Sequence, residues 1–149
     1  MSTVAVSLSL ARTARAAEPP CDETWHLEPT PVAHDYQSFS GVSGTSAADV
    51  WAVGVYDDFD QPYENPLMEH WDGSSWVEID GPSLEDGGSL LGVLALSPTD
   101  VWAVGGRGEI PARTLVEHWN GSAWTVVPSP SPGQRFTGSD LTALAEHDC

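Results

Sequence analysis

Asp49-Val50-Trp51-Ala52-Val53-Gly54 returns 51 residues later as Asp100-Val101-Trp102-Ala103-Val104-Gly105, and this repetition decides the fold. Glu69-His70-Trp71-Asp72-Gly73-Ser74-Ser75-Trp76 returns after 48 as Glu117-His118-Trp119-Asn120-Gly121-Ser122-Ala123-Trp124. The two spacings agree because Trp51 to Trp71 takes 20 residues and Trp102 to Trp119 takes 17, so one loop is three residues shorter. The same ruler reaches outward. Trp25 precedes Trp51 by 26 residues, as Trp76 precedes Trp102, and residues 141–145 follow residues 91–95 by 50. Self-similarity at a fixed period of this length marks supersecondary units that bury their faces against one another.

Within one repeat the pattern predicts four short strands. Residues 90–96 and 101–104 are almost uniformly apolar and too short for helices, which predicts strands buried on both faces. Residues 115–119 and 124–127 are more mixed. Between them stands Asn120-Gly121, matched by Asp72-Gly73, the signature of a two-residue type I′ hairpin. Ser97-Pro98-Thr99-Asp100 predicts the preceding turn, with the Asp carboxylate accepting backbone N–H bonds. Four strands in about 50 residues is the count of one propeller blade. The expected fold is therefore all-β, antiparallel four-stranded blades of a partial β-propeller.

The repeat, ending Ser-Pro-Thr-Asp-Val-Trp-Ala-Val-Gly at Gly105 and resuming as Leu-Val-Glu-His-Trp-Asn-Gly-Ser-Ala-Trp from Leu115, resembles the tryptophan-rich β-propeller repeats of secreted and surface bacterial proteins. These are related in style to kelch-type and galactose-oxidase-like propellers. The resemblance covers residues 24–149 and implies blade one at 39–79, blade two at 90–127, and partial blade strands at 25–28 and 141–145. It implies architecture and no particular activity. About two and a half blades leave apolar end faces, so the array is expected to be completed by homo-oligomerisation, to be a truncated remnant, or to stay an open arc.

Composition narrows the partners. The 149 residues carry five arginines, no lysine and 22 acids, a net charge of −17, which excludes nucleic acid and anionic membrane surfaces as ligands. No stretch is long and apolar enough for membrane insertion. The apolar run at 4–11 followed by Ala14-Arg15-Ala16 reads as a secretory signal over 1–16, with a tail at 17–23, and the expected location is extracellular. Cys21 falls by alignment in a strand three to four turn, and Cys149 in a strand one to two turn. These turns share one end of a blade, so the pair either forms a disulfide or stays as two free thiols in the chain ends.

Chemistry-bearing clusters are few. Glu69-His70 and Glu117-His118 look like acid/base pairs, but neighbours on a strand point to opposite faces, so they read as packing residues along with Asp49 and Asp100. Trp51, Trp71, Trp76, Trp102, Trp119 and Trp124 read as the fixed stations of blade packing. Asp57-Asp58-Phe59-Asp60, with Glu64 and Asn65, is an acidic loop found in one repeat alone, and it reads as a solvated loop before it reads as a calcium site. No nucleophile elbow or paired-carboxylate frame is present, so no catalytic residue, cofactor or metal is expected. The expectation is a non-enzymatic module that binds a protein or surface ligand through Tyr56, Asp57, Asp58, Phe59, Asp60 and Tyr63, because variable loops on a repeated scaffold carry function. The alternative is a lectin-like subunit binding glycans on exposed aromatics.

Overall fold

The computed structural model describes residues 27–108 and 112–130. They form eight strands: β1 (Tyr36–Ser46), β2 (Asp49–Asp57), β3 (Asn65–Trp71), β4 (Trp76–Glu78), β5 (Gly88–Ser97), β6 (Asp100–Arg107), β7 (Arg113–Trp119) and β8 (Trp124–Val126). These make two antiparallel four-stranded sheets in simple meander order, β1-β2-β3-β4 and β5-β6-β7-β8, and no helix occurs among the described residues. The all-β reading holds. Residues 1–26, with the segment expected to be a secretory signal, Trp25 and Cys21, and residues 131–149, with the strand expected at 141–145 and Cys149, lie outside the described residues. Residues 27 and 28, the described part of the strand expected at 25–28, are in no strand. Leu27 is fully exposed there, and the following Pro29 and Pro31 lack the N–H that a ladder needs.

The second sheet repeats the register of the first: Val50 pairs with Trp71 and Trp51 with His70, as Val101 pairs with Trp119 and Trp102 with His118. Even the irregularities repeat. A bulge falls between Phe39 and Gly41 and again between Leu90 and Gly92. It brings the first strand of each sheet so close to the second that a Cβ on Gly54 or Gly105 would lie 1.9 Å from the carbonyl of Ser38 or Ser89. That contact explains why each Asp-Val-Trp-Ala-Val run ends in glycine.

The sheets stack face to face, and the core lies between them. One sheet contributes Trp51, Val53 and Met68, and the other Leu90, Val101, Ala103, Leu115 and Trp124. Trp51 is wedged against two rings of the opposing sheet, at 5.2 Å from Trp119 and 5.3 Å, edge-on, from Trp124. Such offset and edge-to-face contacts add to the apolar burial.

Three expectations are corrected. Strands β5 and β6 are not buried on both faces: in β6, Val101, Ala103 and Gly105 are buried and alternate with half-buried Trp102, Val104 and Gly106, because only one side meets the other sheet. The hairpins are not two-residue type I′ turns. Trp71 pairs with Trp76 and Trp119 with Trp124 across four-residue loops, in which only Gly73 and Gly121 have positive φ. The first loop residue bridges its own turn. Asp72 Oδ1 accepts N–H bonds from Ser74 and Ser75 at 2.8 and 2.9 Å, and Asn120 Oδ1 those of Ser122 and Ala123 at 3.0 and 3.1 Å, so Asp and Asn are interchangeable. Lastly, Asp100 does not cap its turn. Its carboxylate accepts from Trp102 Nε1 and His118 Nε2, inside the sheet it begins.

Trp51 fills the space between the sheets and is 1 % exposed, whereas its counterpart Trp102 faces outward. Trp51→Ala is therefore expected to cost about 3–5 kcal/mol and Trp102→Ala less than half of that. Urea unfolding followed by far-ultraviolet circular dichroism checks the difference.

Candidate functional site

The repeated Asp and His residues serve the tryptophans. His70 Nε2 bonds to Asp49 Oδ1 at 2.7 Å, and its ring lies against Trp51, with centroids 4.4 Å apart. His118 does the same between Asp100, at 2.8 Å, and Trp102, at 4.3 Å. Burial opposes the charge on Asp49, but hydrogen bonds from Thr45 and His70 outweigh it and hold its pKa below the ordinary value. The adjacent glutamates point the other way, as strand alternation requires. Glu69 and Glu117 are fully buried, and their carboxylate oxygens have no hydrogen-bond partner among the described residues. Burial raises Glu117 to about 7, and burial with the nearby charge of Glu78 raises Glu69 likewise to about 7.

The feature that differs between the repeats is the β2–β3 connection, residues 58–64, and it is held by residues ahead of the first strand. His34 lies between two carboxylates, with Nδ1 3.0 Å from Asp58 and Nε2 3.0 Å from Glu78, and its ring stacks on Tyr56 at 3.6 Å. Asp35 and Asp58 then exchange bonds. The Asp35 N–H donates to the Asp58 carboxylate at 3.2 Å, and the Phe59 N–H donates to the Asp35 carboxylate at 3.0 Å. Burial disfavours the imidazolium of His34, but the hydrogen bonds and charges of Glu78 and Asp58 prevail and raise its pKa above 6.5. With carboxylates on both ring nitrogens, the doubly protonated ring donates to both.

This clamp sorts the six loop residues proposed from sequence. Tyr56 and Asp58 are engaged within the molecule, Tyr56 under His34 and Asp58 by His34 and Asp35. Asp57 is the half-buried last residue of β2. Phe59 is 81 % exposed, Asp60 is exposed beside it, and Tyr63 is 41 % exposed. Tyr63 also lines a cleft of about 430 Å³ with Pro62 and Glu64 on one side and Asp86, Ser89 and Leu91 on the other. The cleft is formed where the loop meets the start of β5. The Glu64 carbonyl accepts the Gly88 N–H at 2.9 Å, and Arg113 makes an ion pair with Asp86 at its edge. The acids do not converge on a cation: among the described residues no group of three or more His, Cys, Asp or Glu could hold a metal ion.

Sequence reasoning missed His34, Asp35 and Glu78. No spacing signals them, because His34 meets its partners 24 and 44 residues away in the chain. The only local clue is that His34-Asp35 stands directly before β1 in a chain with few cationic groups. No protein-family model, curated protein or solved structure matches this chain. Among the described residues no helix is long and apolar enough to cross a membrane.

Two pH dependences follow. His34 has a raised folded-state pKa, so the clamp's contribution is complete below pH 6.5 and is lost as pH rises through the folded value. The intrinsic-rate-corrected hydrogen-exchange protection of the Phe59 amide is expected to fall over that rise, and to be low at every pH in His34→Ala. Glu117 also has a raised pKa, so its neutral form favours the fold below pH 4.5, and stability is lost as pH climbs through about 7. Glu117→Met removes the buried charge and is expected to stabilise the protein at pH 8 by about 1–3 kcal/mol, with a flatter dependence of denaturation midpoint on pH.

Proposed function

We propose that the chain is a non-enzymatic, extracellular binding module made of consecutive blades of a propeller-type array, and that it takes a protein ligand at the end of the sheets where the β2–β3 connection projects. The duplicated register and the face-to-face stacking of the sheets support the blade reading. The secretory pattern at the N-terminus supports an extracellular setting.

One observation carries the binding reading: Phe59 stands 81 % exposed on a loop whose backbone is pinned at that residue by Asp35 and Asp58. An aromatic held out by a fixed backbone loses little conformational freedom when a partner covers it. Asp57, Asp60 and Glu64 flank it, and the connection contains no basic residue, so the complementary ligand presents Arg or Lys next to an apolar side chain. A guanidinium suits a surface of carboxylates set around an aromatic face.

Catalysis finds less support. His34, His70 and His118 are each engaged with carboxylates, and the two carboxyls nearest neutrality, Glu69 and Glu117, lie on sheet faces and not in the cleft. A glycan ligand needs stacking platforms. Trp51 and Trp124 are buried, and Trp71, Trp76, Trp102 and Trp119 are half-buried on sheet faces, so Tyr36, opposite Asp57, with Phe59 and Tyr63 are the exposed aromatics at the loop end.

The test is a fluorescence-anisotropy titration with short amphipathic peptides bearing arginine, their acidic counterparts and neutral oligosaccharides. Binding of the arginine peptides is expected to weaken with salt and to fall about tenfold in the Phe59→Ala, Tyr63→Ala double variant, the loss that follows from removing two exposed aromatics that the ligand would partly cover. Binding of oligosaccharides and not of peptides would contradict the reading.

A further inference from the structure

Gly106 breaks the repeat where the fold does not require glycine. Its station in the first sheet belongs to Val55, since Ser38 pairs with Val55 as Ser89 pairs with Gly106. The glycines around it have backbone reasons. A Cβ on Gly105 would lie 1.9 Å from the Ser89 carbonyl, a Cβ on Gly88 would lie 2.9 Å from the Gly106 carbonyl, and Gly108 has a φ of 74°. A Cβ on Gly106 would meet nothing closer than the Arg113 carbonyl, at 3.8 Å, and its φ is not positive. Glycine inside a strand costs stability, and it marks places where another chain or a ligand comes close to the backbone.

Gly106 lines the cleft of about 430 Å³ beside the β2–β3 connection, and a second departure from the repeat lines it too. Leu91 is the extra residue of the bulge between Leu90 and Gly92, where the first sheet has Ser40 between Phe39 and Gly41. It is 41 % exposed, as is Tyr63 from the loop on the other side of the cleft. Relative to the first repeat, the second has thus lost a side chain at Gly106 and gained an apolar one at Leu91. The charged residues of the lining, Glu64 and Asp86, are both acidic. Arg113 pairs with Asp86, whereas Glu64 is exposed at the rim.

We propose that this cleft is the pocket for an apolar side chain of the arginine-bearing peptide ligand. A leucine-sized group sits between Tyr63 and Leu91 over the bare backbone of Gly106, and the basic residue next to it faces Glu64. The pocket rests on the peptide reading of the loop and supplies that ligand's side-chain preference. Its volume lies within the range of ligand sites, and an aliphatic group seated there removes apolar surface from water on both walls as well as its own. Val at position 106 would have room in the fold and would take it from the cleft.

Fluorescence anisotropy on the full chain tests it, with two labelled peptides that differ only in having leucine or alanine beside the arginine. The wild-type chain is expected to bind the leucine peptide about tenfold more tightly, the span of one buried aliphatic side chain. Gly106→Val puts back the residue of the first repeat and is expected to weaken the leucine peptide about tenfold, so that the preference disappears. Phe59→Ala is expected to weaken both peptides alike. Circular dichroism checks that Gly106→Val is folded, and Leu91→Ala, which takes away one wall, is expected to erase the same preference and serves in its place if it is not. Equal binding of the two peptides by the wild-type chain, or a leucine preference that survives in a folded variant, overturns the pocket and leaves the peptide reading standing. Binding of neither peptide overturns both.

Discussion

The structure depends on one contact: the indole of Trp51 driven between Trp119 and Trp124 of the facing sheet. A four-stranded sheet of this size has no core of its own, and its stability comes from the face it shares. Aliphatic content is low here, with Leu, Ile, Val and Phe at about a fifth of the chain, close to the range in which chains fail to fold. Tryptophan supplies the missing apolar surface. A wide ring must be aimed, however, and the aiming is done by the Asp and His that recur with it. Asp49 fixes His70, and His70 backs Trp51. The repeated motif is therefore a single packing device spread over two strands, which is why all three residue types return together at His118, Asp100 and Trp102.

The same logic accounts for what sequence reading reached and where it stopped. The four strands of each of the two repeats, their order and their approximate positions were legible, because each follows from the repeat and from runs of apolar residues. The turns were misjudged: Asp72-Gly73 has the letters of a type I′ turn, but the Asp side chain satisfies Ser74 and Ser75 within a wider loop. Burial was overestimated in β5 and β6, since a uniformly apolar strand does not reveal whether a neighbour covers both of its faces. In the loop, Phe59 and Tyr63 could be picked out as variable aromatics. That Tyr56 and Asp58 are already occupied could not, because their partner His34 comes from a segment with no periodicity.

Glu69 and Glu117 show what a repeat can conceal. A carboxylate recurring on an otherwise apolar face looks like a site, yet in this fold Glu117 sits on the face shared by both sheets, where strand alternation puts it with Leu115 and Trp119. Burial keeps it protonated well above the usual carboxylate range. In the neutral form such a group costs the core an unpaired polar atom, and in the ionised form far more. The fold is thus tuned by pH at its central contact and, separately, at the His34 clamp that presents the variable loop.

The account stands on the position of one side chain, and proton NMR of the full chain reports it directly. Nuclear Overhauser effects between the indole protons of Trp51 and those of both Trp119 and Trp124 are the expected result, since the centroids lie 5.2 and 5.3 Å apart. Contacts from Trp51 to His70 of its own sheet, with none to either tryptophan of the facing sheet, would contradict it.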